Sequence, residues 1–374
     1  CAAGGSGGLV TERALPAVLL GVAVAAASLS APAAPVDYPA VIPGVEVRLP
    51  ADHGSHPAFR TEWWYVTGWL DAEDGSTLGF QVTFFRTRPD VPEDNPSAFT
   101  PRQLVIAHVA LSDPAHGRLR HDQRIARATH GLAGADPSDT DVWTGDWRLE
   151  RDGARYRARL DASDFGLDLV LERTQPPMLN GEGGYSQKGR LPSSASYYYS
   201  VPQLEVGGTV SREGVPVEVR GSAWLDHEWS TALLEPEARG WDWIGINLDD
   251  GGALMAFRMR DREGKRLWAA ATLRRPGEEP VHVAPDDVVF LPGRRWTSPR
   301  TGIEYPVEFE LRTGDMAIDI EPLMDDQESD SRMTTGAVYW EGAVRALQSG
   351  RPIGKGYLEL TGYGEPLALP GGGR

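Results

Sequence analysis

The residues best suited to chemistry lie in the segment GSAWLDHEWS, residues 221 to 230. If this segment forms a β-strand, Asp226 and Glu228 share one face, whereas His227 and Trp229 share the other. A carboxyl group held among aromatic rings can stay protonated near neutral pH, because burial disfavours its charged form. We therefore expect Asp226 to be a general acid and His227 its orienting partner. The alternative is that His227 only hydrogen-bonds to the backbone.

A second ionisable group lies in HPAFRTEWWYVTGWL, residues 56 to 70, where three indole rings and one phenol ring surround Glu62. So much aromatic surface beside one carboxyl group indicates a cavity for an apolar ligand, with Trp64 and Tyr65 in its wall. Glu62 is then a second candidate acid. On a strand Glu62 also shares its face with Arg60, so a buried Arg60–Glu62 ion pair is the alternative.

The histidines provide one further candidate and no metal site. His108, His116 and His121 have a spacing that fits no tight zinc pattern, and the last two flank a turn. His108 lies opposite an apolar strand face, so we expect it to point into the cavity. The only cysteine is Cys1, which excludes thiolate ligands and internal disulfides. We expect neither a metal ion nor a cofactor.

The elements that position these residues are β-strands. Beyond Pro50 the chain consists of short aromatic or β-branched runs with period-2 alternation, separated by Gly, Asp and Pro clusters. Two such runs flank Asp74 and predict a hairpin. A second hairpin of the same design spans residues 240 to 261 and carries Trp241 and Trp243, which we also expect to line the cavity.

The chain has 374 residues, which favours two domains rather than one core. We predict an all-β fold of two tandem antiparallel β-barrel domains, residues 36–205 and 206–370, with sandwiches as the alternative. The boundary is placed near Val206, where Gly207 and Gly208 interrupt the strand pattern.

Composition bears on partners and location. The formal net charge of -16 and the lack of a basic block exclude a nucleic-acid partner. Residues 14 to 35 form an apolar run that ends in small residues, which is typical of a secretory signal peptide. We therefore predict that residues 1–35 comprise a signal peptide and the residues upstream of it, with cleavage near Ala34. We expect a secreted or periplasmic monomer, in contact with an apolar small molecule and with a membrane-associated export system. A lipoprotein anchored at Cys1 is the alternative.

Several segments together resemble a known family. They are TEWWYVTGWL, AHVALSD, GYSQKG, SYYYS, WLDHEWS, GWDWIGINLDDG, LMAFRMRD, VYWEGAV and GYLELTGY. In this order they are similar to the lipocalin-like secreted proteins related to carotenoid 1,2-hydratase, also labelled predicted secreted hydrolases. The resemblance covers nearly all of the chain after about residue 50. It implies two lipocalin-like barrels with an apolar ligand held in or between them.

The resemblance also implies an activity. Carotenoid hydratases add water to an isolated carbon–carbon double bond without a cofactor, so we expect a hydro-lyase or isomerase that acts by acid catalysis on an isoprenoid or polyketide-like substrate. Their His-x-Trp element matches His227 and Trp229, and it places Trp229 in the cavity wall. Their Tyr-x-Asp pair has no counterpart, because that strand carries Phe257, Arg258 and Arg260. The alternative function is a non-catalytic carrier of apolar ligands in the cell envelope.

Overall fold

A computed structural model of the protein describes residues 1, 4–5, 36–92, 95–97 and 99–365. The predicted signal peptide lies outside these residues, so export stays a prediction, as does lipid attachment at Cys1. Among the described residues, none of the helices is both long and apolar enough to cross a membrane.

Strands account for nearly all regular structure, beside two short 3₁₀ helices, Ala51–His53 and Pro285–Asp287. Sheet A comprises β1 (Thr61–Ala72), β2 (Thr77–Thr87), β3 (Leu104–Ser112), β4 (Arg120–Arg127), β5 (Ala133–Ala135), β6 (Asp141–Thr144), β7 (Trp147–Asp152), β8 (Arg155–Asp161), β9 (Phe165–Arg173), β10 (Met178–Leu179), β11 (Tyr185–Gln187), β12 (Ala195–Arg212) and β13 (Val215–Ala232). Sheet B comprises β14 (Gly240–Leu248), β15 (Ala253–Arg260), β16 (Arg266–Arg274), β17 (Val281–Val283), β18 (Val288–Pro292), β21 (Phe309–Thr313), β22 (Met316–Pro322), β23 (Glu328–Ser331), β24 (Ala337–Gln348) and β25 (Arg351–Leu360). A separate ribbon pairs β19 (Arg295–Thr297) with β20 (Glu304–Pro306).

Sheet A curls into a nearly closed barrel. Its strand order is β4-β3-β2-β1-β13-β12-β9-β8-β7-β6-β5, with β10 and β11 both paired to β12. The two ends approach each other, since β3 and β4 lie beside β5 and β6. One face of every long strand is apolar and fills the barrel interior, where Trp64, Phe84, Trp147 and Tyr199 are buried. This burial, rather than any disulfide or long helix, holds the barrel together.

Sheet B has the order β17-β16-β15-β14-β25-β24-β22-β21-β18, with β23 paired to β24. It curls as well, because β16 approaches β18, and it encloses a second apolar core that includes Ile244, Phe290 and Trp340. The all-β prediction with two curled sheets is therefore confirmed. Both predicted hairpins are also present, as β1 with β2 and β14 with β15.

The change from sheet A to sheet B comes later than the predicted domain boundary. Residues 205 and 206 lie inside β12, sheet A continues to Ala232, and sheet B begins at Gly240. Gly207 and Gly208 do not interrupt the strand, because they stay in register with β13 and β9. Glycine in a strand can mark a close backbone approach, and here a Cβ on Gly208 would come within 2.2 Å of the Asp168 carbonyl oxygen.

The two sheets pack against each other through their outer faces. A third apolar cluster joins β1, β12 and β13 of sheet A to β14, β15, β24 and β25 of sheet B, and it contains Tyr65, Trp69, Tyr198, Trp224, Trp243 and Phe257. The approach is close, since a Cβ placed on Gly79 would lie 2.6 Å from the Cβ of Ala343. Strand β1 and residues 223–230 of β13 are consequently buried on both faces.

Candidate functional site

A cavity of about 70 Å³ lies between the two sheets. Sheet A contributes the rings of Trp63, Tyr65 and Phe85 to its wall, and sheet B contributes those of Trp241, Trp243 and Phe257. Four carboxyl groups and one lysine also line it, namely Asp226, Glu228, Glu341, Glu359 and Lys188. The sequence predicted this combination of acidic groups in an apolar, aromatic pocket. Of the two predicted locations, within a barrel or between the barrels, the pocket occupies the second.

Asp226 is held by three hydrogen-bond donors. The hydroxyls of Tyr198 and Ser200 donate to its carboxylate over 2.7 and 2.6 Å, and the Trp224 indole N–H donates over 2.7 Å. Burial raises the pKa of Asp226 to about 7, and the three donors limit that rise because they favour the charged form. Asp226 can therefore give or take a proton near neutral pH.

Glu341 and Glu359 form a carboxyl pair on sheet B. They face each other directly across β24 and β25; Glu341 is buried and Glu359 is half-buried. Burial raises the pKa of Glu359 to about 7, although a 2.8 Å hydrogen bond from the Trp241 indole opposes the rise. Burial and the neighbouring charge of Glu359 raise the pKa of Glu341 well above its usual range. The pair thus keeps at least one proton at neutral pH.

Among the residues that the structure describes, Lys188 is the one cation in the cavity wall. Its ammonium lies 3.0 Å from a carboxylate oxygen of Glu228. It also sits 4.6 Å from the ring centre of Tyr198 and 4.1 Å from that of Phe257, within cation–π range. Burial lowers the pKa of Lys188, and the charge of Glu228 opposes this. The cavity therefore holds one compensated ion pair beside three further carboxyl groups.

Glu62 and His227 lie on the opposite face of their strands, inside barrel A. One oxygen of Glu62 accepts hydrogen bonds from His227 Nε2 at 2.9 Å and His56 Nδ1 at 2.8 Å, and the other meets Arg86 Nε at 2.8 Å. Burial opposes the charge on Glu62, but Arg86 and the two histidines outweigh it and hold its pKa below the usual range. These contacts favour the charged form of Glu62 and place it outside the inter-sheet cavity, and its role as an acid stays a prediction. Its buried partner is Arg86, whereas Arg60 pairs with Asp90.

The predicted partnership of Asp226 with His227 does not form, because adjacent residues of β13 point to opposite faces. His227 instead contacts the Tyr199 hydroxyl at 3.1 Å through Nδ1 and stacks on Trp64 with 4.7 Å between ring centres. Trp229 stacks on His56 at 3.6 Å. Trp64 and Trp229 thus pack within barrel A, in contrast to their predicted place in the ligand cavity.

Three atoms of metal-ligand type come together in barrel A, since His56, Glu62 and His227 each offer one atom within 4.8 Å of the others. Arg86 already neutralises the carboxylate, and the backbone N–H of His56 donates to both of its oxygens. The cluster therefore works as an ion-pair network that fastens the segment before β1 to the barrel.

His108 is buried beside the cavity rather than in its wall. Its Nδ1 lies 3.0 Å from the hydroxyl of Tyr339, a residue that does line the cavity, and its Nε2 lies 2.8 Å from Thr334 Oγ1. Burial lowers the pKa of His108 to about 3, so the ring is neutral. It supports Tyr339 and connects sheet A to sheet B.

Of the predicted site residues, the structure therefore brings Asp226, Tyr65, Trp241 and Trp243 to one cavity. Sequence reasoning missed Lys188, Glu341 and Glu359, although each lies in a segment that carried the family resemblance. For Glu341 the available signal was a carboxyl group directly after the aromatic pair Tyr339 and Trp340. Arg258 and Arg260, which replace the hydratases' Tyr-x-Asp pair, both form ion pairs with Asp242.

Comparison with known proteins decides the family. The model of the family described as AttH-like matches residues 40–363. The chain belongs to the AttH-like family. The crystal structure of a candidate AttH from Nitrosomonas europaea shares 51% sequence identity with this AttH-like chain, with a TM-score of 0.82 over 87% of this chain and 99% of that one. The resemblance read from the sequence is thereby confirmed.

A more distant solved structure has the same fold. Kievitone hydratase from Nectria haematococca is 14% identical to this AttH-like protein, with a TM-score of 0.67 over 88% of this chain and 98% of that one. At this identity the likeness concerns the fold. No functionally curated protein matches the sequence.

Proposed function

We propose that this AttH-like protein is a cofactor-independent hydratase or isomerase that protonates a carbon–carbon double bond of an apolar substrate in the inter-sheet cavity. The observation that carries the proposal is the Glu341–Glu359 carboxyl pair, which shares an aromatic cavity with Asp226. A fold neighbour named kievitone hydratase lends support to this reaction class.

The proposed reaction begins with proton transfer from the Glu341–Glu359 pair to one alkene carbon. The positive charge that develops on the other carbon is stabilised by the surrounding rings and by the pair's new negative charge. In hydration, one water molecule then bonds to that carbon and gives a proton to the carboxylate of Asp226. Asp226 releases this proton to solvent, and the Glu341–Glu359 pair takes up a proton from solvent to complete the cycle. In isomerisation, Asp226 instead removes a proton from a neighbouring carbon.

The size of the cavity limits what enters. Its volume of about 70 Å³ is smaller than the roughly 150 Å³ cavity that takes up benzene. Only the reacting end of an isoprenoid or polyketide-like molecule fits unless side chains move. Access to the remainder of the substrate must come from displacement of wall residues such as Trp63, which is only partly buried.

The test is isotope incorporation. The protein is incubated with a panel of prenylated and polyene alkenes in H₂¹⁸O and, separately, in D₂O, and the products are analysed by mass spectrometry. Hydration adds one labelled water, whereas isomerisation exchanges deuterium into the carbon skeleton. Glu341→Gln and Glu359→Gln should each lower turnover by roughly 10²–10⁴-fold. Glu278→Gln, on an exposed turn, is the matched control and should keep full turnover.

The carrier alternative gives a different result in the same assay. Asp226→Asn retains the shape of the site and removes its proton chemistry. An enzyme would lose turnover in this variant and still bind its substrate, whereas a carrier would bind the alkene unchanged and incorporate no label even in the unmodified protein. Absence of label from every panel member that binds would overturn the hydratase proposal.

A further inference from the structure

Among the described residues, the wall of the inter-sheet cavity contains more acidic than basic groups. Four carboxyl groups line it against a single ammonium, that of Lys188. Lys188 is already paired with Glu228 at 3.0 Å. Asp226, Glu341 and Glu359 are then left without a cation among the described lining residues.

Three polar atoms in this wall lack a hydrogen bond of good geometry. They are the hydroxyl of Tyr65, one carboxyl oxygen of Glu341 and one of Glu228, and only the last lies beside a cation, 3.0 Å from the Lys188 ammonium. The side chains of Tyr65 and Glu341 approach each other without completing a well-formed hydrogen bond. A carboxylate accepts several hydrogen bonds, so Glu341 has acceptor capacity for a donor in the cavity even though the Tyr65 hydroxyl lies beside it.

Lys188 itself shows how this cavity accommodates an alkylammonium group. Its charged end rests over the rings of Tyr198 and Phe257 while one carboxylate compensates it. The remaining wall repeats that chemistry, with the indoles of Trp63, Trp241 and Trp243 beside the Glu341–Glu359 pair. Rings and carboxylates together are the groups that bind ammonium ligands in proteins.

We propose that the cavity binds a small alkylammonium group, so that the ligand class of this site includes primary and secondary amines with an apolar tail. The volume of about 70 Å³ corresponds to roughly five water positions at about 10–15 Å³ each. A short alkylammonium end fits this space, whereas a carboxylate-bearing lipid would meet the existing negative charge. The inference concerns the same cavity as the proposed reaction, but it does not depend on turnover.

The test is calorimetric titration of the full chain at pH 7.5 with three probes of equal length: hexylammonium, 1-hexanol and hexanoate. Hexylammonium should bind one to one and about tenfold or more tighter than 1-hexanol, and hexanoate should not bind. Because the cation favours ionisation of the carboxyl pair, binding should release protons, which is seen as a dependence of the heat on the buffer's ionisation enthalpy.

Two variants distinguish hexylammonium binding in the cavity from non-specific attraction to the acidic protein surface. Glu341→Gln should weaken hexylammonium binding about tenfold and abolish the proton release, whereas the exposed Glu278→Gln should change neither. Near-ultraviolet circular dichroism checks that Glu341→Gln keeps its tryptophan packing. If that variant does not fold, Lys188→Met gives a second reading, since loss of the internal ammonium should tighten hexylammonium binding.

Equal affinity for hexylammonium and 1-hexanol, saturable hexanoate binding, or binding unaffected by both Glu341→Gln and Lys188→Met would each overturn the inference. Non-saturable binding would also overturn it and would assign the attraction to the net negative surface. If hexylammonium does not bind but isotope is incorporated, the amine proposal fails and the proposed reaction stands. If hexylammonium binds but no isotope is incorporated, the proposed reaction fails and the site is an amine-binding cavity.

Discussion

Three buried carboxyl groups of this protein behave differently because of their neighbours. Glu62 has a guanidinium and two imidazoles around it and remains ionised. Asp226 has only neutral donors, and Glu359 has one indole N–H and a carboxyl neighbour. Glu62 and Asp226 are almost fully buried and Glu359 is half-buried. Burial therefore does not distinguish Glu62 from Asp226, and their partners decide which of these two groups can release a proton near pH 7.

The first prediction at the residue scale concerns Glu62. In Glu62→Gln, Arg86 keeps its buried charge but loses its carboxylate partner, which should cost about 3–5 kcal/mol of unfolding free energy. Urea denaturation followed by tryptophan fluorescence measures this cost. Glu359→Gln, which removes a charge that lacks a cation, should not destabilise the protein at pH 7.5. Equal losses of unfolding free energy in the two variants would contradict the distinction between Glu62, which stabilises the fold as an anion, and Glu359, which does not.

A second prediction concerns the Tyr198 hydroxyl, which donates to Asp226 and accepts from the Trp243 indole at 3.0 Å. In Tyr198→Phe one donor to the carboxylate is lost, so the pKa of Asp226 should rise above about 7 by roughly one unit. Infrared titration of the carboxyl band measures it. Tyr156→Phe, which removes a hydroxyl buried in barrel A, is the control. An unchanged or lower value in Tyr198→Phe would rule out the hydrogen bond as a determinant.

At the scale of elements, alternation along β1 and β13 could be predicted from the sequence. It separated Asp226 and Glu228 from His227 and Trp229, and the structure has the same division. Alternation does not show whether a strand face contacts solvent, a barrel interior or another sheet. Both faces of residues 223–230 of β13 are buried, one in a barrel and one against another sheet. Both faces are rich in aromatic residues, so neither has the polar pattern of a solvent-facing surface.

Long-range pairing explains why the rest of the site was missed. Glu341 and Glu359 are 18 positions apart in the sequence, and each looks like one acid in an aromatic run. Only the register of β24 with β25 places them opposite each other, and only the packing of sheet B on sheet A buries them. Lys188 likewise lies in a short glycine-flanked segment after β11 whose pattern predicts a loop, with no hint of burial.

Sheet packing gives the prediction at this scale. Gly79 on β2 faces β24, where an added Cβ would approach the Ala343 Cβ to 2.6 Å. Gly79→Ala should therefore push the sheets apart and cost about 1–3 kcal/mol of stability, with weaker ligand binding in the cavity. Gly207→Ala on β12, where an added Cβ meets nothing within 4 Å, is the matched control and should be nearly neutral. Thermal unfolding compares the two; a harmless Gly79→Ala would show that the sheets are not closely packed there.

For the whole molecule, the cavity depends on both sheets. Tyr65 and Asp226 come from sheet A, whereas Trp243, Glu341 and Glu359 come from sheet B. Charge inside this interface acts against the packing that encloses it. The stability of the entire chain should therefore report the protonation of the carboxyl pair.

The sign of that dependence follows from the direction of the shift. The pKa of Glu359 is raised from 4.5 to about 7, so the folded chain holds this proton more tightly than the unfolded chain. The stabilisation is fully present below about pH 4.5 and is lost as the pH rises through about 7. His108, whose pKa is lowered to about 3, acts in the opposite direction, because the unfolded chain binds its proton first.

A comparison of Glu359→Gln with the unmodified protein isolates the pair, since His108 contributes equally to both. The amide cannot ionise, so the variant should gain stability relative to the unmodified protein as the pH rises from 4.5 to 8, by about 1–3 kcal/mol. Urea unfolding at half-unit pH steps measures this difference, and a conservative substitution at the exposed Glu278 should give none. A flat difference would mean that the pair is already ionised in the folded state. The pair would then have no proton to transfer to an alkene at neutral pH. The reason is that the pH dependence of stability and the proposed reaction both require the pair to be protonated in the folded protein.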